Sequence, residues 1–119
     1  LPLQLDFRFK YASALYLDGQ TEDAGKEFLF ITRENPGYEK AWMNLAVWYI
    51  NKGDVVAAEE ALQNAVALNP DYLQARLTLT DLYLRTRQRT KAGVMMQYLL
   101  RYHRDEPLVQ ELNMRYRSL

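Results

Sequence analysis

The chain repeats itself without a gap at a fixed period of 34, and that period constrains its fold more than any other property of the sequence. Asn35-Pro36-Gly37-Tyr38 returns as Asn69-Pro70-Asp71-Tyr72, and in the same frame Ala24, Ala58 and Ala92 align, as do Phe28, Leu62 and Met96. Further triples are Tyr11, Leu45 and Leu79, then Ala12, Ala46 and Thr80, then Leu15, Tyr49 and Tyr83. Each triple asks for one side-chain size, so each predicts one kind of site in a packed interior. A fixed period of this length belongs to repeat architectures, in which one supersecondary unit recurs and buries its faces only by stacking on its copies.

Within each unit the apolar spacing is helical. Trp42, Leu45, Ala46 and Tyr49 fall at i, i+3, i+4 and i+7, and Ala58, Leu62 and Ala65 share a second stripe. The polar breaks Asp18-Gly19-Gln20 and Lys52-Gly53-Asp54 separate the two patterns, and Pro36 and Pro70 close the second helix by pushing the residue before them out of helical geometry. The pattern predicts seven helices over 4–17, 21–34, 38–51, 55–68, 72–86, 88–103 and 107–117, with irregularity near 85–91 and 103–107. The small residues let paired helix axes approach closely while the large triples fill the space beside them.

The unit Trp42-x2-Leu45-Ala46-x2-Tyr49, Gly53, Ala58, Leu62, Ala65, Pro70 resembles a tetratricopeptide repeat. The resemblance covers three consecutive units, 5–38, 39–72 and 73–106, followed by a terminal helix over 107–117, in one domain. It implies an all-α fold, a right-handed α-solenoid. Departures occur at Arg8 and Arg76 in place of Trp42, at Arg87 in place of the turn glycine, at Arg104 in place of the closing proline, and at Ile31 and Leu99 in place of Ala65. Leu1-Pro2 stands one period before Asn35-Pro36, which predicts that a further unit precedes it and that the chain is a window on a longer array. The stripe Leu108, Val109, Leu112 and Tyr116 suits either a cap helix or the first helix of a fourth unit, and Arg115 and Arg117 favour the cap.

Composition narrows the chemistry. With 119 residues, no Cys and a single His, His103, thiolate zinc sites, disulfide frameworks and cysteine nucleophiles are excluded. The neighbouring carboxylates Glu22-Asp23, Glu59-Glu60 and Asp105-Glu106 project about 100° apart on a helix and read as solvated faces rather than catalytic pairs. His103, with no orienting motif around it, reads as a helix-terminal residue serving the last carbonyls of its helix. Five scattered glycines make no phosphate loop. No catalytic residue, cofactor or metal is expected, and the chain is expected not to be an enzyme. The longest apolar run, Leu45 to Ile50, is too short for a membrane span.

The resemblance implies a protein-interaction scaffold in which the first helix of each pair lines a groove. That groove takes Phe9, Ser13 and Tyr16 from the first unit, Lys40, Met43, Asn44, Val47 and Ile50 from the second, and Gln74, Leu77, Asp81 and Leu84 from the third. It reads as unusually apolar, so either a partner segment or neighbouring repeats should cover it. Chaperone-binding relatives hold a peptide carboxylate with Lys, Arg and Asn. Of those only Asn44 is in place, with Phe9, Ser13, Gln74 and Thr78 elsewhere and Lys10 and Lys40 off the pattern, so that ligand is disfavoured.

Charge totals 15 basic against 15 acidic residues, yet residues 1–70 hold six basic and ten acidic and residues 71–119 nine and five. Arg85, Arg87, Arg89 and Lys91 form a candidate basic rim for an acidic partner. The expected partner is a protein or peptide segment, with no nucleic acid, small-molecule substrate or direct membrane insertion. Helical-repeat RNA readers have a 35-residue period and polar reading residues, which this chain lacks. The alternative is a structural spacer, as in the periplasmic repeat regions of bacterial exopolysaccharide-export outer-membrane proteins that such arrays resemble. A periplasmic and a cytoplasmic location are equally compatible.

Overall fold

Three chain reversals repeat one hydrogen-bonded motif in the register of the sequence. Gly19, Gly53 and Arg87 occupy the same left-handed place, with φ of +86°, +81° and +58°. The next residue's N–H reaches back five positions in each case, Gln20 to Leu15 O, Asp54 to Tyr49 O and Gln88 to Tyr83 O, at 2.9, 2.9 and 2.8 Å. This closes the first helix of each pair by satisfying a carbonyl that would otherwise be orphaned. Arg87 takes that conformation without glycine's freedom, so the third reversal carries backbone strain the other two do not.

The computed structural model describes residues 3–119, and among these it contains seven helices and no strand. They are α1 (Leu3–Leu17), α2 (Thr21–Glu34), α3 (Glu39–Lys52), α4 (Val55–Leu68), α5 (Leu73–Arg85), α6 (Arg89–Tyr102) and α7 (Pro107–Arg117). Their ends differ from the periodicity-based ranges by no more than one position. Leu1-Pro2, on which the expectation of a preceding unit rests, lies outside the described residues. No described helix is long and apolar enough to cross a membrane.

The chain forms two compact units, one ending at Pro70 and the other beginning at Asp71. In the first, α1 packs on α2, α2 on α3 and α3 on α4. Ala12, Ala24, Ala46 and Ala58 are fully buried where the helices approach, and Phe28, Ile31 and Leu62 fill the space between them. Asp54 caps α4, its Oδ1 accepting the N–H of Ala57 at 3.1 Å, which satisfies one of the orphan donors at the helix start.

In the second unit α5 packs on α6, and α7 on both. Thr80, at the Ala12 and Ala46 position, is fully buried and donates its hydroxyl to Arg76 O at 2.7 Å, so the polar group costs little there. Pro107 starts α7 at a position whose N–H would have no helical partner. Val109 and Leu112 anchor α7, whereas Gln110, Met114 and Arg117 are left exposed. Met114 stands one period after Thr80, so α7 continues the repeat register in the place of a first helix.

One expected core residue is not in the core. Tyr11 aligns with the buried Leu45 and Leu79 yet is 57% exposed. The reason is positional: the side of α3 that carries Leu45 is covered by α2, and the matching side of α1 has no described helix on it.

Candidate functional site

The inner side of the first unit brings three of the expected groove residues together. Ser13, Tyr16 and Asn44, with Leu17 and Phe28, line a recess of about 220 Å³. Helical spacing puts Ser13 and Tyr16 one turn apart on α1, and Asn44 comes across from α3. Phe28 contributes from the buried layer beneath and Leu17 from the end of α1. Asn51 Nδ2 donates to the Tyr16 hydroxyl, which holds that ring at the margin. The recess is smaller than the ~300–1,000 Å³ that encloses a small-molecule ligand, and is on the scale of one side chain. Its lining has no acid or base, so the Ser13 hydroxyl and Asn44 amide are offered as hydrogen-bonding groups beside an apolar floor.

Phe9 lies deeper than a groove residue would. Its ring meets Phe28 edge-on at 5.8 Å and Tyr38 at 4.9 Å between centroids, within the hydrophobic cluster of this unit. Met43 is buried and presents no surface to a partner, which corrects its place in the groove. Its side chain is 2% exposed, one helical turn before the fully buried Ala46. Lys40 is exposed, and Val47 and Ile50 are half-buried. The apolar groove is therefore less open than the sequence led us to expect.

In the second unit Gln74 is exposed, Leu77 is half-buried, and Leu84 is buried, a second correction to the groove. Asp81 is engaged within the unit: its carboxylate receives Arg85 Nε at 2.9 Å and Arg115 Nη1 at 2.6 Å. The basic rim is partly spent in the same way. Arg89 Nη1 donates to the carbonyls of Tyr116 and Leu119 at 3.2 and 3.4 Å and its guanidinium lies 4.8 Å from the Tyr116 ring centroid. The Lys91 ammonium lies 5.7 Å from the Tyr83 ring centroid, and Arg87 is exposed at the strained turn.

His103 does not serve helix carbonyls with its ring. Its Nε2 pairs with Asp71 Oδ1 at 2.8 Å, and the Tyr98 hydroxyl donates to the same oxygen at 2.8 Å. These bonds, the one from His103 first, hold the Asp71 carboxyl below its ordinary range. They raise the Tyr98 hydroxyl, chiefly through its bond to Asp71. His103 occupies the place of Asn35 and Asn69, and all three share a φ near −137° (−139°, −136° and −137°) with a backbone N–H closing on the carbonyl four positions back.

Leu17, Phe28 and Asn51 were not singled out for the site from sequence. Phe28 read as core, which it also is. Nothing in the period marks Asn51, because its separation from its partner Tyr16 is one position longer than the repeat.

The profile of the tetratricopeptide repeat family matches residues 52–113. No curated protein matches the chain. Among solved structures, the first such domain of Spaghetti (RPAP3), bound to the HSP90 peptide SRMEEVD, superposes with a TM-score of 0.83 at 16% identity, covering 96% of this chain and 91% of that one. The Arabidopsis OM64 domain gives 0.82 at 14% identity, over 96% and 94%. The Yersinia enterocolitica type III secretion chaperone SycD, in complex with a peptide of the translocator YopD, gives 0.77 at 16% identity, over 97% and 88%. At these identities the likeness concerns the fold, an α-solenoid of helix-turn-helix units.

Proposed function

Since this chain belongs to the tetratricopeptide repeat family, we propose that it is a protein-interaction scaffold that holds an apolar side chain of a partner segment in the recess between α1 and α3. The observation that carries this reading is the convergence of Ser13, Tyr16 and Asn44 over Phe28. An apolar floor with a few fixed polar groups selects a side chain by burial and orients its backbone by hydrogen bonds. The packed helices of the first unit act as a preformed frame, so the partner bears most of the ordering cost. Similar folds with peptides bound support the reading: SycD with a YopD peptide and the Spaghetti domain with an HSP90 peptide. Lys40, Val47 and Ile50 on α3 extend the same side.

A peptide array probed with the whole chain tests it. Ser13→Trp fills the recess and Val47→Glu puts a charge beside it. Each is expected to weaken selected peptides at least about tenfold, the ~1.4 kcal/mol of one lost anchor contact, with the far-ultraviolet circular dichroism unchanged. Undiminished binding by Ser13→Trp would remove the recess from the mechanism. An array with no selected peptide would favour the spacer alternative.

A further inference from the structure

Ser13 and Asn44 decide which kind of side chain the recess between α1 and α3 accepts. Neither the Ser13 hydroxyl nor the Asn44 amide has a hydrogen-bond partner among the described residues, and both line the recess. The hydroxyl offers one donor and two acceptor positions, the amide two donors and a carbonyl. Water serves these groups while the recess is open. An occupant displaces that water, and each polar group it leaves unserved costs a desolvation penalty comparable with what one aliphatic side chain gains by burial. Leucine or phenylalanine would therefore lose at Ser13 and Asn44 most of what it gains on Phe28 and Leu17.

The rest of the lining narrows the choice. It contains no acid or base, so a Lys, Arg, Asp or Glu of the partner would enter without a counter-charge. Asparagine or glutamine would meet the polar pair but bury little apolar surface on the floor. The floor itself favours an aromatic ring. Phe28 is the last of a row of edge-on rings: it lies 5.8 Å and 62° from Phe9, which lies 4.9 Å and 67° from Tyr38. Another ring set against Phe28 continues the row in the edge-on arrangement that aromatic quadrupoles prefer. Tyr16, its hydroxyl held by Asn51, supplies a fixed wall beside it. Tryptophan brings an N–H donor only and cannot accept from the Asn44 amide, whereas a phenol both donates and accepts. At about 220 Å³ the recess is on the scale of one such side chain.

We propose that the recess holds a tyrosine of the partner segment, its ring against Phe28 and its hydroxyl between Ser13 and Asn44. This assignment rests on the recess being the place where the partner binds, and adds the residue type that is selected there.

Nuclear magnetic resonance titration of the whole chain with two neutral probes, N-acetyltyrosine amide and N-acetylphenylalanine amide, tests the proposal. The tyrosine amide is expected to shift the Asn44 side-chain amide resonances saturably and to bind at least about fivefold tighter than the phenylalanine amide, the effect of about one net hydrogen bond. Asn44→Leu and Ser13→Ala, each removing one side of the polar pair, are expected to shrink that preference toward parity. Equal or tighter binding of the phenylalanine amide, a preference that survives both variants, or no saturable shift with the tyrosine amide overturns the tyrosine assignment, and leaves the recess to be judged by the peptide array. Ser13→Trp separates the two: it is expected to block both amides, and undiminished binding of both to it overturns the recess itself and the tyrosine with it.

Discussion

At Gly25 and Gly93 a hydrogen stands where every other residue would place a carbon against an aromatic ring. The two sites are equivalent in register but not in tolerance. At Gly25 the obstacle is the fused ring of Trp48, a buried side chain with no room to retreat. At Gly93 it is the far end of Tyr116, which is only half-buried. Gly25→Ala is therefore expected to destabilise by about 1–3 kcal/mol through overpacking, despite the ~1 kcal/mol that alanine gains over glycine within a helix. Gly93→Ala is expected to be neutral or stabilising by up to that ~1 kcal/mol. Urea denaturation of the two variants checks the contrast, and equal losses would show that the rings are equally fixed. Neither glycine stands out in the sequence, because glycine in a helix interior signals a close approach without naming what approaches.

Among elements, the join between the start of α5 and the end of α6 depends on one carboxylate. Asp71 accepts from both Tyr98 and His103, and Arg76 stacks 3.4 Å over the Tyr98 ring centroid. The Asp71 carboxyl is held below its ordinary value of 3.8, chiefly by the His103 and Tyr98 hydrogen bonds. A depressed folded-state pKa gives stability that is present above the unfolded value and lost as pH falls through the folded one. Asp71→Asn should therefore flatten the part of the stability curve that falls as pH drops below about 4 while lowering stability at neutral pH. Thermal melts across that range check it, and an unchanged acid limb would show that the bonds do not persist in solution. The substitution of His103 for asparagine at this place was visible in the register. Its partner was not, because Asp71 lies nearly a full repeat earlier in the chain and replaces the glycine of the first unit.

At the scale of the whole molecule, a repeat chain distributes its stability in neighbouring contacts rather than in one central core. The packing follows that rule: α1 through α4 contact in sequence, and α7 closes on α5 and α6. Gly25→Ala should then lower hydrogen-exchange protection in α1, α2 and α3 far more than in α5, α6 and α7. Uniform loss along the chain would instead mark a single cooperative block. Uneven charge, negative before Pro70 and positive after it, leaves a smaller free basic surface than the sequence suggests. Asp81 takes up Arg85 and Arg115, and Arg89 is turned to carbonyls at the end of α7.

The seven helices, their pairing and the sizes of the residues at their crossings were all legible before any coordinates. These are local properties: a 3.6-residue apolar period, turn residues and a fixed repeat register are written along the chain. Ser13 and Tyr16 share a side of α1 by helical spacing alone, while Asn44 stands out only through the family resemblance, and it takes the fold to bring all three to one recess. Packing in three dimensions settled the rest: Met43 and Leu84 are buried, Tyr11 is exposed, and Asp81 and Asp71 are committed to internal partners. A residue's period says which side of its helix it is on, but whether another helix lies there depends on contacts between segments far apart in the chain.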